Sequence, residues 1–224
     1  MSRPQILGAP LAVLAALALL VWLGLPILLR AAGLHPHHDI PPFDLPGKKA
    51  LIVATSHDTL GEGGKATGVF ASELTVPFYA FQDAGMTVDI ASPKGGAVTV
   101  EPGSMGWPLA TDSDLRFKRD TDAMHKLTHS LPIAEVDAAA YDVVFLAGGW
   151  GAAYDLGQSA ALGDVITEAN ANQAVIGGVC HGPLGLLASP RPAPNAWFCR
   201  DGARSATRAA GPVGGSNLAL GDGP

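Results

Sequence analysis

Apolar residues follow three patterns along the chain, and each predicts a different kind of element. Residues 6–29 form a 24-residue run without one charged side chain, between Arg3 and Arg30. A bilayer core takes about 20 such residues, so residues 1–30 are expected to form a single transmembrane anchor. A secretory signal peptide is the alternative, with an apolar core of about 7–15 residues and a small-x-small cleavage site. The longer run, followed directly by Arg30, favours an uncleaved anchor. Gly8, Pro10, Gly24 and Pro26 are tolerated in spanning helices. Arg3 on one side and Arg30, Lys48 and Lys49 on the other leave the side of the membrane open.

From Lys49 onward, short apolar runs alternate with helical stripes, which predicts a mostly parallel sheet with crossover helices. Strands are expected at 50–54, 86–91, 143–147 and 174–179. Helices are expected at 69–84 and 162–171, with another starting at 182–188. The stretch 94–140 carries Gly95-Gly96, Pro102-Gly103 and many charges, and reads as an insertion with its own short helices rather than core. Residues 190–224 are rich in Pro, Gly, Ala and Arg and have no apolar run of strand length. Such a tail cannot bury enough apolar area to offset its ordering entropy, and disorder is expected. The expected organisation is anchor 1–30, linker 31–48, α/β domain 49–189 and low-complexity tail 190–224.

Composition narrows the function classes. Of 224 residues, 14 are Lys or Arg and 20 are Asp or Glu, giving a net charge of -6. No clustered basic face for nucleic acid results. Much of the 48% hydrophobic content comes from the first thirty residues. Two cysteines, Cys180 and Cys199, are too few for a disulfide scaffold and lack zinc-type pairing; a Cys180–Cys199 disulfide would need an oxidising compartment. His35, His37, His38 and Asp39 cluster in the linker, where a metal site and a solvated tether are the two readings. No second ligand group of fitting spacing follows, which favours the tether.

The sharpest chemical feature is the run Gly177 to Pro183, containing Cys180 and His181 between an apolar strand and a helix start. A residue at such a turn is projected from the carboxyl edge of the sheet, and a helix amino terminus there favours thiolate. A small buried cysteine is the competing reading. Glu73, at the start of the helix after the first strand, would begin at the same edge and could reach Cys180. Alternatively it only compensates the helix dipole.

Five ordered motifs then meet. Ser56-His57-Asp58, Thr67-Gly68 through Glu73 to Pro77-Phe78, Ala91 through Gly96, Ala147 through Gly151, and Gly178 through Pro183 together resemble the ThiJ/PfpI (DJ-1/PfpI) superfamily over roughly residues 49–187. The nearest branch contains glyoxalase III and heat-shock chaperone proteins of the stress response. The resemblance implies a flavodoxin-like three-layer α/β sandwich, related to type 1 glutamine amidotransferases. It implies Cys180 as nucleophile, Glu73 as its proton partner and His181 as neighbouring acid/base, with backbone N–H groups at Gly148, Gly149 and His181 forming an oxyanion pocket. The activity implied is conversion of methylglyoxal-type aldehydes to hydroxy acids without glutathione, metal or organic cofactor. Deglycation, holdase or redox-sensor behaviour, an older cysteine peptidase label and an inactive pseudoenzyme are the alternatives. Glutaminase activity does not fit, because no His follows His181 and no Glu follows Glu168. A small aldehyde or glycated group is the expected partner, with a homodimer common among relatives.

The resemblance stops after the nucleophile turn. The branch continues with further strands and a carboxylate that orients the histidine. Here the remaining carboxylates are Asp201 and Asp222, of which only Asp201 is carried as a weak candidate for the site. A truncated or frameshifted carboxyl terminus is the expectation that follows.

Overall fold

The computed structural model describes residues 8–34, 43–190 and, for the backbone alone, 196–198. The linker histidines His35, His37 and His38, together with Asp39, Cys199, Asp201 and nearly all of the tail, lie outside the described residues. The first element, α1 (Gly8–Ala31), is long and apolar enough to cross a membrane by length and composition. Its Pro26 lacks the N–H that would bond the carbonyl of Trp22, and the Trp107 indole donates to that oxygen instead, at 3.0 Å.

A parallel sheet forms the centre of the protein. Its strands are β1 (Lys49–Val53), β4 (Thr87–Ser92), β5 (Leu131–Pro132), β6 (Val143–Leu146), β7 (Val175–Gly178) and β8 (Ala196–Phe198), in spatial order β5-β4-β1-β6-β7-β8. A small antiparallel pair, β2 (Thr59–Leu60) and β3 (Lys65–Ala66), lies between β1 and the next helix. Helices follow as α2 (Ala71–Asp83), α3 (Asp112–Phe117), α4 (Thr121–Thr128), α5 (Ala152–Asp155) and α6 (Ala160–Ala171).

Strand β1 shows why the layers close. Residues 50–54 are wholly buried, and they alternate between two cores: Ala50, Ile52 and Ala54 pack with Phe78, Phe117 and Leu127, while Leu51 and Val53 pack with Leu156, Leu162 and Ile166. A strand covered on both faces reads as a continuous apolar run, which is how β1 appears in the sequence. The result is the flavodoxin-like three-layer α/β fold. The chain moves outward from β1 through β4 to β5, then returns to the other side of β1 at β6. Loops leaving the carboxyl ends of β1 and β6 diverge there and open the crevice where such folds place ligands.

The stretch 94–140 corrects the expectation of a separate insertion. Leu131–Pro132 supply the edge strand, and Phe117, Ala123, Leu127, Ile133 and Ala138 enter the core. Helix α3 is secured by a capping box in which Thr111 and Asp114 bond each other reciprocally, and the buried Asp114 also accepts from Thr75 at 2.6 Å. The charges that suggested a surface excursion therefore include one that ties α3 to α2. The helix expected to start at 182–188 is a 3-10 helix over those residues. A second correction falls on the tail, where Ala196–Phe198 pair in parallel with Ile176–Gly178. Three residues with Trp197 and Phe198 suffice for a strand that too short an apolar run concealed.

Candidate functional site

Three chain segments bring the candidate residues together at the carboxyl edge of the sheet. Cys180 follows β7 and holds a left-handed backbone, φ 54°, in which a non-glycine residue is costly. That backbone places Cys180 at the turn between β7 and the 3-10 segment that follows. His181 Nδ1 lies 3.1 Å from Cys180 Sγ. The Gly149 and His181 backbone N–H groups face the sulfur and favour its thiolate.

Glu73 sits in the first turn of α2. The start of that helix is fixed from outside, because Phe70 offers no side-chain cap and the Ser104 hydroxyl accepts the Ala71 N–H at 3.1 Å. Its end is set by a Schellman arrangement, with Gly85 at φ 85° donating to the Gln82 carbonyl and Met86 to that of Phe81. Glu73 is thereby held beside Cys180, the Gly148 amide and the Gly149 amide. Its Oε2 is buried and lacks a hydrogen-bond partner of good geometry.

Burial pushes the Glu73 carboxyl up to about 7, against the pull of the thiol and the two amides. Burial and then the negative charge of Glu73 push the Cys180 thiol up to about 11. The expectation of a thiolate favoured by a helix amino terminus is corrected here. The following helix is a short 3-10 segment, and desolvation with a neighbouring carboxylate outweighs its dipole. The resting site is better described as a thiol and a carboxyl that share the difficulty of carrying charge. Burial also lowers His181, leaving its imidazole available as a neutral base.

Gly148 and Gly149 follow β6 and form the wall opposite. Gly149 has φ 101°, and a side chain there would overlap the Gly68 carbonyl. The Gly148 carbonyl accepts from Phe70 N–H at 3.3 Å, so this turn also braces the start of α2. Gly149 and His181 offer N–H groups toward the sulfur, whereas the Gly148 amide serves Glu73. Of the sequence candidates, Cys180, His181, Glu73, Gly148 and Gly149 are thus brought together. Asp201 lies outside the described residues.

Two neighbours of the site were missed. Trp150 is 54% exposed, and its ring lies 4.6 Å from that of His181, tilted by 35°. Glu101 accepts from the Trp150 N–H at 3.4 Å and favours a protonated His181. Glu101 had no motif to betray it beyond a lone acid ahead of Pro102-Gly103. Ser56-His57 serve as support: Asp155 accepts from the Thr55 hydroxyl at 2.8 Å and the Ser56 N–H at 2.7 Å, and His57 stacks on Tyr154 at 4.4 Å. Among the described residues, no group of three His, Cys, Asp or Glu side chains is placed to hold a metal ion.

A flavodoxin-like sheet with a cysteine on a strained turn after a strand, flanked by a histidine and a buried glutamate, defines the class. The DJ-1/PfpI family model matches residues 65–191, and the chain belongs to that family. It is 34% identical over 146 residues to the glutathione-independent glyoxalase HSP31 of Saccharomyces cerevisiae, covering 61% of this chain and 58% of that protein. It is 33% identical over 146 residues to the glutathione-independent glyoxalase hsp3102 of Schizosaccharomyces pombe, covering 64% and 60%. Among solved structures, the 24 kDa Rapid Encystment Protein of Francisella tularensis matches with a TM-score of 0.60 at 30% identity, covering 66% of this chain and 65% of that one. Glyoxalase III of Candida albicans shares the fold, with a TM-score of 0.59 at 24% identity over 70% of this chain and 71% of that one. The chain spans about three-fifths of the length of the curated relatives it matches.

Proposed function

We propose that the protein is a cysteine-dependent, glutathione-independent glyoxalase acting on methylglyoxal-type 2-oxoaldehydes. One observation carries the reading: Cys180 is held in a strained turn with His181 Nδ1 at 3.1 Å on one side and the Glu73 carboxyl, its Oε2 buried, on the other. The homology to proteins named glutathione-independent glyoxalases supports the substrate class.

The chemistry follows from that pair. As the aldehyde enters, the Cys180 proton passes to Glu73 or His181, and the sulfur bonds to the aldehyde carbon, whose oxygen becomes the hydroxyl of a hemithioacetal. Backbone N–H groups of Gly149 and His181 stabilise the oxyanion on the way, a contribution that in comparable sites is worth about 10²–10³ in rate. A base then removes the proton from the former aldehyde carbon, and the neighbouring ketone carbon receives one, giving the thioester of a 2-hydroxy acid. Water cleaves the thioester, releasing the acid and restoring the thiol. The sum is methylglyoxal plus water giving lactate. No net oxidation occurs, so no redox cofactor enters the balance.

We propose further that α1 serves as a single-pass anchor. The test is lactate formation from methylglyoxal by the full chain in detergent, beside Cys180→Ser and Glu73→Gln. Lactate from the wild type alone supports the reading. Its absence from the wild type refutes it and favours an inactive relative.

A further inference from the structure

Glu101 comes from the stretch between β4 and α3, and its backbone is fixed on both sides. Its N–H donates to the Val69 carbonyl at 2.8 Å, and its own carbonyl accepts from the Ser104 N–H at 3.1 Å and hydroxyl at 2.7 Å. Ser104 is also the residue that receives the first N–H of α2. One clamp therefore delivers Glu101 and Glu73 to the same crevice.

The Glu101 side chain is committed there. Its Oε2 accepts from the Trp150 backbone N–H at 3.4 Å, and the Trp150 ring leans over the His181 imidazole at 4.6 Å. The imidazole has Cys180 Sγ at its Nδ1, 3.1 Å away. Cys180 and Glu101 are the titratable groups that face it, while Glu73 acts on the sulfur. No carboxylate hydrogen-bonds the His181 ring among the described residues, so the imidazole is held by a ring and a charge rather than by a direct bond.

On the reading that His181 is the acid/base partner, we propose that Glu101 is its positioning residue, fixing Trp150 against the imidazole and supplying the negative charge that steadies its protonated form. Burial works against an imidazolium at this place and the Glu101 charge works for it. The role is met from upstream of the nucleophile, on a loop that the sequence pattern assigns to an insertion.

The experiment follows the His181 ring by NMR through a pH titration of the full chain in detergent. Labelled histidine is used, with His181→Gln for assignment. Glu101→Gln is expected to move the His181 titration to lower pH by roughly half a pH unit or more, with Glu101→Asp close to wild type. Methylglyoxal turnover in Glu101→Gln is expected to fall about tenfold in kcat with little change in KM, and Glu101→Asp to restore most of it. An unmoved His181 titration in Glu101→Gln, with thermal unfolding like the wild type, overturns the proposal. Equal loss in Glu101→Asp and Glu101→Gln also overturns it. If the wild type makes no lactate, the glyoxalase reading falls, and the titration still decides the role of Glu101.

Discussion

Gly148 stands so close to Glu73 that a methyl group on its α-carbon would overlap carboxylate Oε2, and it would also lie 2.7 Å from the Val179 carbonyl oxygen and 2.9 Å from Cys180 Cβ. The glycine is the space in which carboxyl and thiol meet. Gly148→Ala is expected to push Glu73 off the sulfur, reducing methylglyoxal turnover at least about 100-fold. Overpacking at such a site costs about 1–3 kcal/mol of stability. Turnover and thermal unfolding measured on the same sample check both; a variant with normal turnover refutes the contact.

Glu73 and Cys180 raise the cost of charging one another, and this predicts opposite effects on reactivity and on catalysis. Glu73→Gln removes the charge that helps push the thiol up to about 11. The pH midpoint for iodoacetamide alkylation of Cys180 is expected to move down by about 1 unit or more. Lactate formation falls in the same variant, because the proton carrier is gone. A midpoint that stays or rises contradicts the charge coupling.

The same carboxyl links stability to pH. Its folded value of about 7 lies above its ordinary 4.5, so between these values the folded state binds more protons than the unfolded one. The contribution of Glu73 to stability is therefore fully present below about pH 4.5 and lost as pH rises through about 7, by up to about 3 kcal/mol. Glu73→Gln is expected to unfold at a higher denaturant concentration than wild type at pH 8, with the difference shrinking at pH 5. Equal midpoints at both pH values would count against a buried, desolvated carboxyl.

Asp114 is fully buried and serves Thr75 at 2.6 Å and both the N–H and hydroxyl of Thr111, at 2.7 and 2.8 Å. Asp114→Ala strands these donors and is expected to cost about 3–5 kcal/mol, since hydrogen bonds to a charged group carry about 1.5–3 kcal/mol each and are not additive. Urea unfolding measures the loss; a change below about 1 kcal/mol would mean that water replaces the carboxylate.

The central strands and the two core faces were legible because residues 50–54 and 143–147 are apolar runs with no competing reading. Cys180, His181 and Glu73 were legible through motifs at strand ends. Other features escaped for definable reasons. Leu131–Pro132 is too short for a periodic signal, and Ala196–Phe198 is a strand by pairing rather than by pattern. Asp114 looked like one more surface charge, although its register places it opposite Thr75. Glu101 reaches the site through main-chain bonds to Val69 and Ser104, which leave no trace in residue type. The raised thiol was not legible because a strand-to-helix turn specifies position, whereas the burial of Cys180 and the nearness of Glu73 are set by tertiary packing.

On the proposed anchor role of α1, the bond from Trp107 to the Trp22 carbonyl sets a contact with the domain against a place in lipid. Trp22 lies nine residues before Ala31, about 13 Å along the helix axis. Residues 8–21, beyond the contact, extend only about 21 Å, short of a hydrocarbon layer about 30 Å thick. A full crossing therefore requires the globular part to let go of Trp22, and Pro26 leaves that carbonyl with no replacement within its own helix. In that proposal the domain rim and the bilayer claim the same stretch of chain, and whichever holds it decides how far from the lipid the Cys180 crevice stands.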